Sequence, residues 1–371
     1  MSDQRIFDFS QKLFCHPEQI VEYKRGNRPF PITMEVDLTN NCNHKCEWCY
    51  DLDKHKQQES EFLDTDLIKK RLEEAYQLGT RGLNFSGGGE PMLHKDFMNI
   101  IKFCKDAGFD IGVITNGSVI SRKNVHQLTE LLSWLRVSVA GGDRITYKEI
   151  QGVDQFDLVI SKVDLLVEVK KNTCSKLVIG VRILVSDKNL HTINGFAERL
   201  IMSMAGVVNY LQIAPDQFST DGGKFWNSLE NQKMQSEVRE ILAAGNIKLL
   251  KTGFSIPAQK LVTIDGSSEH IEAGPDELDY PRTCYAHFFQ AAITAKGELR
   301  FCKNSRGDDR YILGNIKDKS LKEIWDGETN KGIESWVRPN NCGLFCKNMA
   351  LNKAMEDTLY PDPGVFPNFV N

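Results

Sequence analysis

Long apolar runs are missing from this chain of 371 residues. None approaches the roughly 20 consecutive apolar residues that a membrane-spanning helix needs. The opening segment, Met1 to Asp8, lacks the charged-then-apolar pattern of a secretory signal, so a cytoplasmic protein is expected. Charge of one sign is missing too. The 46 Lys and Arg stand against 50 Asp and Glu, leaving a net charge of −4. That argues against broad electrostatic capture of nucleic acid, though not against a local basic patch. Internal repeats and low-complexity tracts are absent as well. Hydrophobic residues at 41% and charged residues at 26% are the balance of an ordinary globular core. The length suits a large domain plus a smaller one.

Cysteine, by contrast, is plentiful. Disulfides are rare in a reducing cytosol, so ten cysteines point to metal ligation. Seven form two groups: Cys42, Cys46 and Cys49, then Cys284, Cys302, Cys342 and Cys346. The first group has the spacing Cys-x3-Cys-x2-Cys, just after a strand-like segment. Three thiolates on a short loop can hold three corners of a cubane iron–sulfur cluster and leave the fourth iron open for chemistry. The alternative is a structural zinc site with His44 as fourth ligand. Zinc sites usually use paired hooks separated by a long loop, so the spacing favours a cluster.

Strand-like and helical segments alternate along the chain. The strands are expected at Ile32–Leu38, Gly82–Ser86, Ile111–Thr115, Leu135–Val139, Leu177–Val185 and Val207–Ala214. Helical patterns fall at Asp66–Leu78, Lys95–Ala107, Val119–Leu132, Leu158–Lys170 and Thr192–Met204, with a further short one at Pro17–Lys24. This repetition predicts an α/β protein with a parallel sheet. Six units predict a partial (β/α)6 TIM-like barrel, followed by a small α+β auxiliary-cluster domain. The expected divisions are a lead-in over 1–30, the barrel over 31–217, a linker or covering segment over 218–280, the auxiliary domain over 281–350 and a tail over 351–371. Within 218–280, Gln232–Ala244 reads as helical.

Several strands carry polar residues at every second position. Thr33, Glu35, Asp37 and Thr39 share one face of the first. Asn84 and Ser86, Arg136 and Ser138, Arg182, and Tyr210 and Gln212 follow on the others. A hollow lumen around a polar ligand would turn such a face inward; a solvent-exposed sheet face is the alternative. Parallel sheets are usually covered on both faces, which favours the lumen.

The cysteine loop, with Trp48 before its last cysteine, resembles the signature loop of the radical S-adenosylmethionine (SAM) enzymes. Ser86-Gly-Gly-Gly-Glu-Pro91 resembles that family's Gly-Gly-Glu motif, and Thr115-Asn116-Gly117 its turn after the third strand. Ser138, Arg182 and Ala214-Pro215 resemble positions that contact the ribose or carboxylate, the carboxylate and the adenine of SAM. The resemblance covers about residues 31–217. It implies two cofactors, a [4Fe–4S] cluster and SAM. Cys42, Cys46 and Cys49 would be the metal ligands, and Trp48, Gly88, Gly89, Glu90, Asn116, Ser138, Arg182 and Ala214 would bind SAM. It also implies reductive cleavage of SAM to a 5′-deoxyadenosyl radical that removes a hydrogen atom from substrate.

Cys284, Gly297-Glu-Leu-Arg-Phe-Cys302, Leu313-Gly-Asn-Ile, Ser320-Leu-Lys-Glu-Ile-Trp325 and Cys342-Gly-Leu-Phe-Cys346 resemble the auxiliary-cluster module called SPASM, in its shortened Twitch form. Four cysteines imply one fully ligated auxiliary [4Fe–4S] cluster suited to electron transfer; a zinc ion on the same thiolates is the alternative.

Some radical SAM enzymes return hydrogen from a cysteine thiol, so the isolated cysteines matter. Cys104 shares a helical stripe with Phe97, Ile100 and Ile101 and reads as core. Cys174 precedes the fifth strand, at the barrel's far end, and Cys15 lies in the lead-in. None suits a hydrogen donor, which favours a net two-electron oxidation. Glu35, Asp37 and Tyr210 are candidates for substrate contacts or proton acceptance, with Gln212, Asp216, Lys303, Asn304 and Arg306 as further positions.

The expected enzyme is a radical SAM oxidoreductase that dehydrogenates a small polar metabolite, a sugar or aminocyclitol, with the auxiliary cluster taking the electron. A ribosomal-peptide maturase that crosslinks or epimerises its substrate, a sugar epimerase and a non-catalytic zinc protein are the alternatives. About 30 residues precede the first strand, too few for an independent leader-binding domain. The expected partners are a small-molecule substrate or short peptide and an electron donor such as flavodoxin or ferredoxin, with no membrane and no nucleic acid.

Overall fold

The computed structural model describes residues 13, 15–49, 59–204, 207–215, 228–251, 281, 283–305, 308–338 and 348–360. Asp216, Arg306, Cys342 and Cys346 lie outside them, as does much of the expected linker over 218–280.

Seven strands run parallel: β1 (Thr33–Val36), β2 (Gly82–Phe85), β3 (Asp110–Thr115), β4 (Trp134–Ser138), β5 (Val178–Val185), β6 (Tyr210–Pro215) and β7 (Lys248–Lys251). Each lies beside the next in chain order, as successive right-handed β/α units do. Helices α1 (Pro17–Lys24), α2 (Thr65–Leu78), α3 (Phe97–Asp106), α4 (Val125–Leu131), α5 (Arg144–Gln151), α6 (Phe156–Thr173), α7 (Ile193–Met204) and α8 (Leu229–Ala244) precede or separate them. The helix ends follow local chemistry. Asp64 caps α2 by accepting from the Leu67 N–H, and Gly79, at φ +117°, closes it.

The expected six strands are all present. The segment after residue 217 adds α8 and β7, a further unit that continues the parallel sheet. Leu242 and Val238 of α8 are buried in the main core, which ties this segment to the barrel rather than leaving it a mere cover.

The C-terminal module extends the same sheet. β8 (Gln290–Ile293) pairs parallel with β1, and β9 (Glu298–Arg300) and β10 (Ile312–Asn315) follow antiparallel. The order β10-β9-β8-β1-β2-β3-β4-β5-β6-β7 makes an open ten-stranded sheet among the described residues. Helices α9 (Leu321–Trp325), α10 (Glu328–Trp336) and α11 (Met349–Leu359) complete the module. Ser320 and Glu323 form a capping box at the start of α9. Trp325 is buried against Phe30, with ring centroids 5.2 Å apart, and donates to the Pro29 carbonyl at 3.2 Å. Arg71 of α2 donates to the Ile316 carbonyl at 2.9 Å, and the Lys322 N–H to Glu74 at 3.0 Å. Barrel and module therefore share one hydrophobic core.

Helix α11 runs through the expected tail from residue 351. Its Asn352 side chain accepts from the Tyr285 and Ala286 N–H groups, both at 2.8 Å, and its Glu356 accepts from the Tyr285 hydroxyl. These bonds to buried backbone make α11 part of the cysteine module. No helix among the described residues is long and apolar enough to cross a membrane.

Candidate active site in the lumen and at the barrel mouth

Alternation along β1 buries both of its faces. Met34, Val36 and Leu38 are fully buried on one, while Glu35, Asp37 and Thr39 are also buried on the other. The polar face thus turns into a lumen and not toward solvent. Glycines make room inside it. A side chain at Gly112 would run 2.2 Å from the Trp134 ring, and one at Gly180 2.0 Å from the Tyr210 ring. Those two rings occupy the space over the neighbouring strands. Asn84 donates to Glu35 at 3.1 Å, and Arg136 donates to Gln212 at 2.8 Å. Ser138 and Arg182 stand level in the β4–β5 register. Buried polar atoms of the lumen face without a hydrogen-bond partner include Asn84 Oδ1, Arg136 Nε and Arg182 Nε. Burial, then the Arg136 charge, push the Arg182 guanidinium down to about 9.

The cysteine loop lies above the ends of β1–β3. The glycine run packs directly on its backbone: a Cβ at Gly89 would fall 2.0 Å from the Asn41 carbonyl oxygen, and one at Gly88 3.0 Å from that of Thr39. Only glycine permits that approach. The Glu90 N–H donates to the Asn41 carbonyl at 2.9 Å. The Glu90 carboxylate accepts from the Asn116 N–H at 2.7 Å, Thr115 Oγ1 at 2.8 Å and the Met92 N–H at 3.3 Å. Its oxygens therefore knit the glycine run to the turn after β3, and burial pushes the carboxyl up to about 7 despite these donors. Asn116 in turn donates to Asn43 at 2.7 Å.

Helix α5 was not legible as a unit, yet it clamps this loop. Lys45 and Glu47 donate backbone N–H bonds to the Gln151 and Ile150 carbonyls at 3.1 and 2.7 Å. The Gln151 amide donates to the Ser138 carbonyl at 3.1 Å, so its oxygen faces His44 Nδ1 at 2.7 Å; Gln155 meets His44 Nε2 at 3.2 Å. Both ring nitrogens are occupied, and burial lowers the His44 pKa. His44 is thus a neutral anchor of the loop, against the zinc alternative that needs it as ligand. The signals for α5 were Asp143, whose side chain accepts from the Thr146 N–H, and Gly152 at φ +67°.

Three thiols on a loop held from both sides are a donor set for a cubane cluster. Burial and the neighbouring thiols push Cys46 up to about 12, a bias that cluster iron reverses. Trp48 is buried beside them, and Ala214 is buried near the end of β6. In the C-terminal module Cys284 and Cys302 approach one region. Asn348, two residues after Cys346, lies 4.0 Å from Cys302 Sγ, and α11 holds the backbone just after Cys284. Cys284 and Cys302 are the two auxiliary-site thiols among the described residues. Cys104 is wholly buried on α3, while Cys174 closes α6 at φ +50°, exposed and ahead of β5. Neither points to the lumen mouth.

A Radical SAM superfamily model matches residues 36–199, and a SPASM iron–sulfur cluster-binding domain model matches residues 284–347. The chain carries a radical SAM domain and a SPASM domain. Its cofactors are accordingly SAM and [4Fe–4S] clusters, one of them auxiliary. A Pyrococcus furiosus relative, the tungsten-containing aldehyde ferredoxin oxidoreductase cofactor-modifying protein, is 23% identical over 312 residues, spanning 79% of this chain and 80% of its own. Among solved structures, Streptococcus suis SuiB bound to precursor peptide SuiA superposes with a TM-score of 0.65 at 18% identity, covering 92% of this chain and 75% of that one. The anSMEcpe structure with bound AdoMet and Cp18Cys peptide gives 0.56 at 18%, covering 87% and 88%. These likenesses extend the radical SAM fold across barrel and module together. Dehydrogenation of a sugar or aminocyclitol finds no support among them.

Proposed function

We propose that this radical SAM enzyme modifies a peptide, the maturase alternative of the sequence reading. Cys42, Cys46 and Cys49 would hold the SAM-cleaving cluster, and Cys284, Cys302, Cys342 and Cys346 the auxiliary one. When bound, cluster and SAM supply homolytic cleavage of the sulfonium–carbon bond and hydrogen-atom abstraction from substrate. The protein's part is to orient and to exclude water. Gly88 and Gly89, packed on the Thr39–Asn41 backbone, would hold the glycine run against the cluster loop, where the SAM amino group would bind. Glu90 and Asn116 keep that loop in register. Ser138 and Arg182 stand where the ribose and carboxylate of SAM would lie, and Ala214 where its adenine would pack. Glu35, Asp37 and Tyr210 line the remaining wall as substrate contacts or proton acceptors. A low-potential donor such as flavodoxin or ferredoxin would supply the electron.

The observation that carries this reading is the pair of unpartnered lumen atoms left once Arg182 serves SAM, Asn84 Oδ1 and Arg136 Nε. One acceptor and one donor complement the N–H and the C=O or carboxylate groups of a peptide. The fold likeness to a structure bound to a precursor peptide supports it. The Pyrococcus relative's name favours a second reading, modification of a cofactor.

The test is stimulation of 5′-deoxyadenosine release. Reconstituted enzyme, SAM and dithionite receive the fraction of a host cell extract below 10 kDa, with and without prior peptidase digestion. Stimulation lost on digestion, with a peptide altered in mass or deuterated from D2O, is the expected result. Stimulation that survives digestion sinks the peptide reading.

A further inference from the structure

The lumen face carries two arginines, Arg136 and Arg182, where the carboxylate of SAM needs one, beside the buried carboxylates Glu35 and Asp37. Arg136 of β4 and Arg182 of β5 alternate into the same polar face, and neither forms an ion pair among the described residues. Arg182 is level with Ser138, the position toward the mouth, whereas Arg136 lies two residues deeper, about 7 Å along the strand. The two charges repel, and burial opposes both. Glu35 offsets part of this for Arg136, yet neither guanidinium is hydrogen-bonded to a carboxylate among the described residues, and a bound anion would complete the pair.

Arg136 is also held for use. Its guanidinium sits over the Trp134 ring, 6.0 Å from the centroid, and its Nη1 is committed to Gln212 at 2.8 Å. That bond spans β5, from β4 to β6, while the Tyr210 ring fills the space over Gly180. What stays open is the Nε–Nη2 edge, with Nε buried and unpartnered. That is an edge through which a guanidinium grips a carboxylate by two parallel bonds. Glu35, whose charge favours the charged form of Arg136, is tied to Asn84 on the far wall.

We propose that Arg136 is a specificity-determining residue that binds a carboxylate of the substrate, deeper in the lumen than SAM. The inference rests on the lumen being the substrate site and narrows the substrate class to acids: an Asp, Glu or C-terminal carboxylate of a peptide, or a small carboxylic acid.

Calorimetry on anaerobically reconstituted holoenzyme with SAM tests this with three probes: N-acetylglutamate α-amide, its neutral glutamine counterpart, and glutarate. The expected result is at least tenfold preference for a carboxylate probe over the neutral one. Arg136→Gln loses that preference, Arg136→Lys keeps part of it, and the melting temperature of Arg136→Gln does not fall. Tighter binding of the acetylated amide than of glutarate identifies a peptide source. The reverse order supports the arginine site with a small acid and defeats the peptide reading alone. Equal affinity of wild type for charged and neutral probes overturns the proposal. So does an unchanged preference in Arg136→Gln, or a loss of SAM affinity in that variant, which would assign the residue to SAM.

Discussion

Glu90 illustrates how much one side chain can decide. Sequence reading offered it as a carboxylate near the SAM amino group; the structure spends its oxygens on Thr115, Asn116 and Met92. Its folded pKa, about 7, lies above the ordinary carboxylate value of 4.5 because burial penalises the charge. The folded state therefore binds a proton more tightly than the unfolded state does, and stability falls as pH rises through that interval. Glu90→Gln should abolish this component. The melting temperature of wild type minus that of the variant, measured on anaerobic protein, should decline between about pH 4.5 and 7 and then level off. A difference independent of pH would refute the assignment. The same substitution should weaken SAM binding, because an amide cannot accept from donors on both of its ends.

At the scale of elements, the cysteine loop draws its shape from α5 rather than from its own sequence. Gln151 reaches both His44 and the Ser138 carbonyl, coupling the loop to the end of β4. Gln151→Ala leaves a buried imidazole nitrogen and a carbonyl without partners, a cost of about 1–3 kcal/mol. Reduced iron retention by the barrel cluster and slower SAM cleavage are expected, read by iron analysis and 5′-deoxyadenosine release. Gln155 faces the other nitrogen, so a double variant should lose more than either single one.

For the whole molecule, the decisive feature is that β8 joins β1 in parallel, so the cysteine module grows out of the barrel sheet. Module and barrel are then expected to unfold as one cooperative unit. Within the module, α11 fastens the strand of chain beyond Cys346 to the backbone after Cys284 through Asn352. Asn352→Ala should loosen the auxiliary site alone. Iron should drop from roughly eight toward roughly four per chain, as expected for losing one of two cubane clusters. SAM cleavage without substrate should persist, since the barrel loop is untouched. Loss of all iron, or none, would contradict this division.

Sequence by itself determined the alternation of strands and helices, the inward polar face and the two cysteine groups. Each of these is written in local periodicity or spacing, which physics reads over a few residues. It missed α5 because eight residues make only about two turns, too short a window for Tyr147 and Ile150 to stand out as a period, and its proof lies in contacts made to residues about a hundred positions away. It did not mark β7, which is only four residues long and draws its place from pairing with β6. Tertiary structure alone decided that His44 is an anchor, that Glu90 is a knot between loops, and that Arg136 and Arg182 stand as neighbours with neither in an ion pair among the described residues. Partnership among buried polar groups depends on which strands come together, and no spacing along the chain records it.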